Sequence, residues 1–531
     1  MMDYSVFDDC TWLFPDTPLS GARAARLDAP RGGHAGFQLL AAPPAEGGPV
    51  HVSFAWSAPG GPAVQIYELL PVVVNENTAP TLMTTTDYAL CRDYVTRKAP
   101  FEVYDALSPC CGGICAGRAF YLSAEVSAQQ APGLYTGVFR LACGGEELAC
   151  PVSCRVYDVC VPDLGSARLG MLNFFCYENI AAQHPGAEGR QAQRRLLRAY
   201  IRAQLEMRCT HILLPPGRPV YQNGRLAGFD FSAAEQAGRI ALEAGAPWLC
   251  GGHIAHWAEW TGAEYYPFWD ESTGVTTLEG YFQLRLYFSS WARVIRQNGW
   301  QGRIAQALAD EPQVHNTAAY RILAAVCRKF LPGVPILDAV EAAELGGGLD
   351  IWVPKLDTYE KHREIFDRLK GAGETMWFYT CAFPAGRAMN RSMDLPLTVS
   401  RAVLWMAALY RLSGYLHWGF NYYIGQDIWH SACCPHKGAL LPAGDAHIVY
   451  PGAHGPLRSM RFEAQRGGAE DCELLFQLMD GSQEEAEDLI RPVCTSSCSY
   501  TPEGEVLLRA RRQLMADLER RAGPGAPGER Q

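Results

Sequence analysis

The sequence predicts a multidomain β + α/β protein: an N-terminal β-sandwich, then a (β/α)8 TIM-like barrel, then C-terminal helices. Three observations carry this. Up to about residue 160, short apolar or alternating runs recur between Gly/Pro turns with almost no helical periodicity. From about 166 the rhythm becomes strand, loop, helix, repeated about eight times over roughly 300 residues. Two further helical stretches close the chain.

The sandwich is expected over residues 1–162. Its strands read as Val50–Trp56, Val64–Val74, Ala119–Val126, Gly137–Leu141 and Leu148–Tyr157. Pro59-Gly60-Gly61-Pro62, Cys111-Gly112-Gly113 and Cys143-Gly144-Gly145 break them. Val161-Pro162-Asp163-Leu164-Gly165 reads as the linker.

The barrel is expected over 166–485. Strand-like segments appear at Leu169–Phe175, His211–Leu214, Trp248–Ile254, Arg303–Ala309, Pro335–Val340, Ile351–Val353, Thr375–Thr380 and Tyr415–Tyr422. Between them, Leu197, Tyr200, Ile201 and Leu205 share one helix face, as do Tyr320, Leu323, Ala324, Cys327 and Leu331. Asp357 with Glu360 forms a capping-box signature, and Pro396 suits a helix's first turn. The helix after the fifth strand is poorly marked. Arg458–Asp480 and Glu503–Arg521 read as helices, and 486–531 is the C-terminal extension, with a Gly/Pro/Arg tail after Arg520 that reads as frayed.

Composition narrows the function classes. At 531 residues, 48% hydrophobic and 19% charged, the chain can bury at least two cores. A net charge of −10 argues against nucleic acid as a partner. Apolar runs such as Ala402–Tyr410 are too short to span a membrane, and the N-terminus lacks an export signal. With an odd 19 scattered cysteines, this implies reduced thiols and a cytoplasmic protein. Neither Cys110-Cys111 with Cys115, nor Cys433-Cys434 with His436, has zinc-site spacing, and His253 with His256 lacks an acidic partner. No metal is expected. No Gly-rich phosphate loop follows a strand, so no cofactor is expected either. The sequence sets no oligomeric state.

The chemistry centres on Asp310-Glu311-Pro312, at the end of an apolar strand. In a barrel that edge is the reactive one. The bland alternative is a helix cap, with Pro312 opening the next helix. Strand ends would add His253, Trp352, Trp377, Tyr379, His417, Trp418 and Asn421 as substrate-binding residues. Aromatic rings beside carboxylates and amides suit a sugar, whose C–H faces stack while its hydroxyls need hydrogen-bond partners. Asp310 and Glu311 would be catalytic, with a small oligosaccharide or glycoconjugate as partner. Asp338 and Asp350 leave open a glycosidase with a separated carboxylate pair, and a non-catalytic carbohydrate-binding barrel is a further alternative.

Several segments resemble glycoside hydrolase family 123 and the related domain of unknown function 4091: Leu308–Pro312, Asp350–Pro354, Met376–Cys381, Gly414–Asn421, Val449–Gly452, Ser459–Ala464 and Gly468–Asp471. The resemblance implies a sandwich joined to a catalytic barrel. It also implies exo-acting removal of β-linked N-acetylgalactosamine or a related N-acetylhexosamine. The implied route is retaining and substrate-assisted, with Asp310 stabilising the acetamido group and Glu311 as acid/base. Two departures stand out: Arg466-Gly467-Gly468 where the family pattern has Arg-Asp-Gly, and Cys472 where a tyrosine often follows the Glu-Asp.

Overall fold

The computed structural model describes residues 3–42, 48–81, 83–187, 189–423 and 426–523. Most of the expected frayed tail lies outside them. At the N-terminus two sheets share one core. The larger runs Tyr4–Asp8, His34–Ala41, Ala119–Glu125, Ala63–Val74, Phe101–Pro109, Gly455–Ser459, Tyr450–Gly452. The smaller runs Ala25–Arg31, Glu146–Cys160, Gly133–Cys143, Val50–Trp56, Ile114–Cys115. Alternation turns Phe37, Leu39, Phe120 and Leu122 of one sheet toward Phe139, Leu141, Val152 and Val156 of the other, all at most 3% exposed. Cys110 and Cys115 are joined as a disulfide, whereas the sequence suggested reduced thiols throughout.

The second region is a cycle of parallel strands: β1 (Gly170–Asn173), β2 (His211–Leu214), β3 (Trp248–Gly251), β4 (Ile304–Gln306), β5 (Leu337–Val340), β6 (Ile351–Pro354), β7 (Phe378–Thr380) and β8 (Gly414–His417). β1 to β4 pair in order, a Gln306–Ile336 bridge leads to β5, and β5 pairs with β6. A Lys355–Tyr379 bridge reaches β7, β7 pairs with β8, and β8 returns to β1. The last strand thus pairs with the first. Inward positions carry Leu172, Cys250, Ala305, Ala307, Leu337, Ala339, Val353, Tyr379 and Leu416, a compact fill of mostly small side chains.

Helices cover the outside, among them Arg190–Glu206, Ser232–Glu243, Leu278–Gln297, Thr317–Phe330 and Leu397–Tyr410. The fifth crossover, 341–350, has no helix, in keeping with its weak periodicity. The expected Asp357 capping box does not form. The helix there spans Leu356–Lys361, Lys355 is its N-cap, and Asp357 accepts only from the Thr358 amide. Pro396 is likewise the N-cap of Leu397–Tyr410 rather than a residue of its first turn.

After β8 the chain returns to the sandwich, where Arg458 and Ser459 pair with Leu107 and Ala106. Helix Met460–Gly481 then runs between the two regions, and most of its buried charged residues are paired. Arg461 donates to Asp105 at 2.9 and 3.0 Å with both side chains fully buried. Asp471 accepts from Arg401, Trp405 and Arg511. Glu470 faces His34 at 2.8 Å, and Arg466 pairs with Glu125. The departure at Gly467 lies in this packing. A Cβ on Gly468 would sit 2.6 Å from the Arg401 carbonyl, and one on Gly467 2.8 Å from the Arg401 guanidinium carbon. The glycine pair lets the two helices close up. Cys472 is wholly buried in the same packing.

Candidate active site

β4 continues as the buried run Ala307-Leu308-Ala309 and ends in the acids. Asp338, fully buried on neighbouring β5, clamps this end. Its carboxylate accepts from the amides of Leu308 at 2.9 Å and Ala309 at 3.3 Å, and from the Tyr320 hydroxyl at 2.5 Å. His253 Nε2 stands 3.1 Å from it on the mouth side. Glu311 then adopts φ +46°, a left-handed conformation that costs a non-glycine residue about 1 kcal/mol or more. Regular strand alternation would send neighbouring side chains to opposite faces. The turn at Glu311 breaks that alternation, and the two carboxylates interact electrostatically.

Neither acid caps the helix that follows. Gln313 and Asn316 form a reciprocal capping box there, Gln313 N donating to Asn316 Oδ1 at 2.8 Å. Asp310 and Glu311 are left free for other work.

Around them, Tyr379 at the end of β7 donates to Glu311 Oε1 at 2.5 Å and lies 3.2 Å from Glu341 Oε1. Glu341, just past β5, is ion-paired with Lys355, just past β6, and accepts from Thr358 Oγ1 at 2.9 Å. Trp257 Nε1 donates to the Asp310 carbonyl at 3.3 Å, and Lys437 lies over the Trp257 ring. Asp310 is open to solvent and Glu311 half-buried. Desolvation, reinforced by Asp310 and only partly offset by the Tyr379 hydrogen bond, lifts the Glu311 carboxyl to about 7. Desolvation lifts Asp310 too, against the counter-pull of His253. Burial would depress His253, but Asp338, Asp310 and Glu311 together raise it. The result is a carboxyl that holds a proton near neutrality beside a second acid and a cation-prone imidazole.

The structure sorts the residues expected at the mouth. Asp310, Glu311, Tyr379 and His253 come together. Trp418 is half-buried on the β8 side, its indole N–H 3.1 Å from Asp445, and packs with Tyr422. Four others go elsewhere. Trp352 points outward against Phe366 and donates to Glu374. Trp377 lies inside the ring at the opposite end. A Cβ on Gly170 or Gly414 would fall 2.0 or 2.2 Å from its ring atoms, so these glycines make its slot. His417 is wholly buried, accepts from Gly419 N, and faces Asp445 at 3.5 Å; burial keeps it neutral. Asn421 spends its amide on the Cys176 backbone, tying two loops together. Glu341 and Lys355 escaped sequence reasoning. Each directly follows a strand, the same signal that drew attention to Glu311. Of the other acids, Asp338 is committed to the β4 clamp, and Asp350 is held by Arg328 and the Ile336 amide at the far end of the ring.

Residues 229–478 match the family model described as glycoside hydrolase 123, catalytic domain. No curated protein matches the chain. Among solved structures, a family 123 glycoside hydrolase from Clostridium perfringens superposes with a TM-score of 0.75 at 11% identity, covering 98% of this chain and 99% of that one. At that identity it shows a shared fold. A β-glucuronidase from Parabacteroides merdae (TM-score 0.30, 11% identity, 90% of this chain and 52% of that one) is too distant to weigh. So is a β-galactosidase from Marinomonas ef1 (TM-score 0.37, 9% identity, 61% and 62%). The matched segment, a little under half of the chain, contains both acids and every strand from β4 to β8; over it the chain is similar to the catalytic domain of glycoside hydrolase family 123, and the protein is a glycosidase.

Proposed function

We infer that the parallel ring is a catalytic (β/α)8 barrel and that the protein is a retaining, exo-acting β-N-acetylhexosaminidase, with N-acetylgalactosamine the preferred terminal sugar. The observation that carries this is the adjacent pair at the mouth, with Glu311 lifted to about 7 beside Asp310. A glycosidic oxygen leaves only if it is protonated, so the acid must still hold its proton at working pH. Glu311 meets that need. Adjacent residues cannot flank a sugar as nucleophile and acid on opposite faces. The substrate's own 2-acetamido oxygen is therefore the nucleophile.

In this reading Asp310 orients the acetamido group and balances the positive charge it acquires. As the acetamido oxygen bonds to the anomeric carbon, the Glu311 proton passes to the leaving oxygen. Glu311, now a carboxylate, takes a proton from the water that opens the ring intermediate, and configuration is retained. The Clostridium perfringens protein is described as acting in glycolipid glycan hydrolysis. A glycan with a terminal N-acetylated sugar is accordingly the substrate class we assign. A separated-carboxylate mechanism is less well supported, since Glu341 is already engaged by Lys355 and Thr358.

A panel of 4-nitrophenyl glycosides tests this. Turnover should be confined to β-linked sugars carrying a 2-acetamido group. Equal turnover of plain galactosides, or a trapped covalent glycosyl-enzyme, would overturn it.

A further inference from the structure

Tyr379 has one hydroxyl proton and two carboxylates within reach, Glu311 at 2.5 Å and Glu341 at 3.2 Å. A single O–H cannot satisfy both. The second carboxylate does not belong to the acid pair: it comes from another strand. Its side chain is 12% exposed, its Lys355 partner 15%, and Thr358 holds its other oxygen. So buried an ion pair is expensive to assemble and fixes the position of its charge. Lys355 also starts the helix Leu356–Lys361 as its N-cap, so its backbone is fixed too.

We propose that Glu341, held by Lys355, is a positioning residue that works through Tyr379 to govern when Glu311 gives up and regains its proton. While Glu311 is protonated it needs no donor, and the Tyr379 hydroxyl turns to Glu341. Once Glu311 has given its proton to the leaving group, its new carboxylate takes the Tyr379 hydrogen bond, and Glu341 falls back on Lys355. One hydroxyl thus serves both halves of the reaction. This inference rests on Glu311 being the acid/base.

The surrounding charges fix the sign. β3 contributes His253, the β4 end Asp310, and β5 Asp338 beside Glu341. The helix after β6 adds Asp357, 3.9 Å from Lys355, and Cys381 follows β7. Glu341 and Asp310 push the Glu311 carboxyl up, and Lys355 and Tyr379 pull it down. Neutralising Glu341 removes a repulsion, frees Tyr379 for Glu311 alone and leaves Lys355 uncompensated, and all three lower it. Removing the Lys355 cation does the reverse.

The test is the alkaline limb of kcat/KM against pH. Glu341→Gln should move it down by about one pH unit, a tenfold loss per unit above the new limb, with activity below the limb kept within a few-fold. Lys355→Met should move it up. In a Tyr379→Phe background the Glu341→Gln shift should shrink to less than half. Carbon-13 NMR of glutamate-labelled protein, with Glu311 assigned by its loss in Glu311→Gln, reads the same shifts without turnover. It therefore tests this inference even if no glycoside is cleaved, an outcome that would count against the proposed activity alone. Equal loss at all pH values, shifts of the same sign in both variants, or a full shift without the Tyr379 hydroxyl would overturn it.

Discussion

The protein gathers charge in two places, and they behave in opposite ways. Along helix Met460–Gly481 most buried acids meet a base: Asp471 has Arg401 and Arg511, Glu470 has His34 and Arg466, and Glu125 of the sandwich has Arg466, while Glu473 takes only backbone amides. Although burial works against it, the ion pairing holds Glu125 down to about 2 and keeps Asp471 and Glu470 below their usual range. At the mouth of the ring, Asp310, Glu311 and Glu341 share Lys355 and a histidine already engaged by Asp338, and Glu311 rises to about 7. The residue types are the same, and the acids at the mouth are the less buried of the two sets. The count of opposite charges differs too, and that separates a structural joint from the proton donor we propose.

The comparison breaks most sharply through Glu311→Gln, which keeps the shape and removes the proton. Turnover should fall by about 10³-fold or more with melting unchanged or improved. Comparable loss of activity and stability would make Glu311 one more structural acid. Asp471→Ala should do the opposite. It strands two buried arginines and should cost about 3–5 kcal/mol in urea unfolding, and the remaining folded fraction should turn over normally.

A smaller effect separates the regions by pH. The paired acids are depressed in the folded state, so they stabilise it fully above about 4.5 and lose that contribution as pH falls toward about 2. Glu311 is raised when folded, so its ionisation opposes folding, and stability from it grows as pH drops from about 7 to about 4.5. Unfolding free energy should therefore peak near pH 5. At pH 8, Glu311→Gln should exceed wild type by about 1–2 kcal/mol. A variant no more stable than wild type at pH 8 would mean that Glu311 is not strained by its setting.

How much of this could be read from sequence follows from how local each signal was. The acids at 310 and 311 stood at the end of a mostly apolar run, and the chain direction alone placed them at a strand end. Tyr379 and His253 were read by the same rule. Trp352 and Trp377 show where the rule fails, since a strand end does not say which side of the strand a ring takes. Trp377 slots against Gly170 and Gly414, more than 35 residues away on other strands, and no local pattern announces that. Glu341 and Lys355 gain meaning only from each other and from Tyr379, three strand ends joined by closure of the ring. The joint was hidden differently. Glu463, Glu470 and Asp471 look like the solvated face of a helix, and it is the return of Gly455–Ser459 to the sandwich that buries them.

The most direct measurement is the ratio of kcat/KM for 4-nitrophenyl N-acetyl-β-galactosaminide to that for an activated plain galactoside, in wild type and in Asp310→Asn. If Asp310 serves the acetamido group, the variant should lose about 10²-fold or more on the first substrate and far less on the second, collapsing the ratio. Equal losses on both would contradict substrate assistance and leave Asp310 no role beyond raising its neighbour.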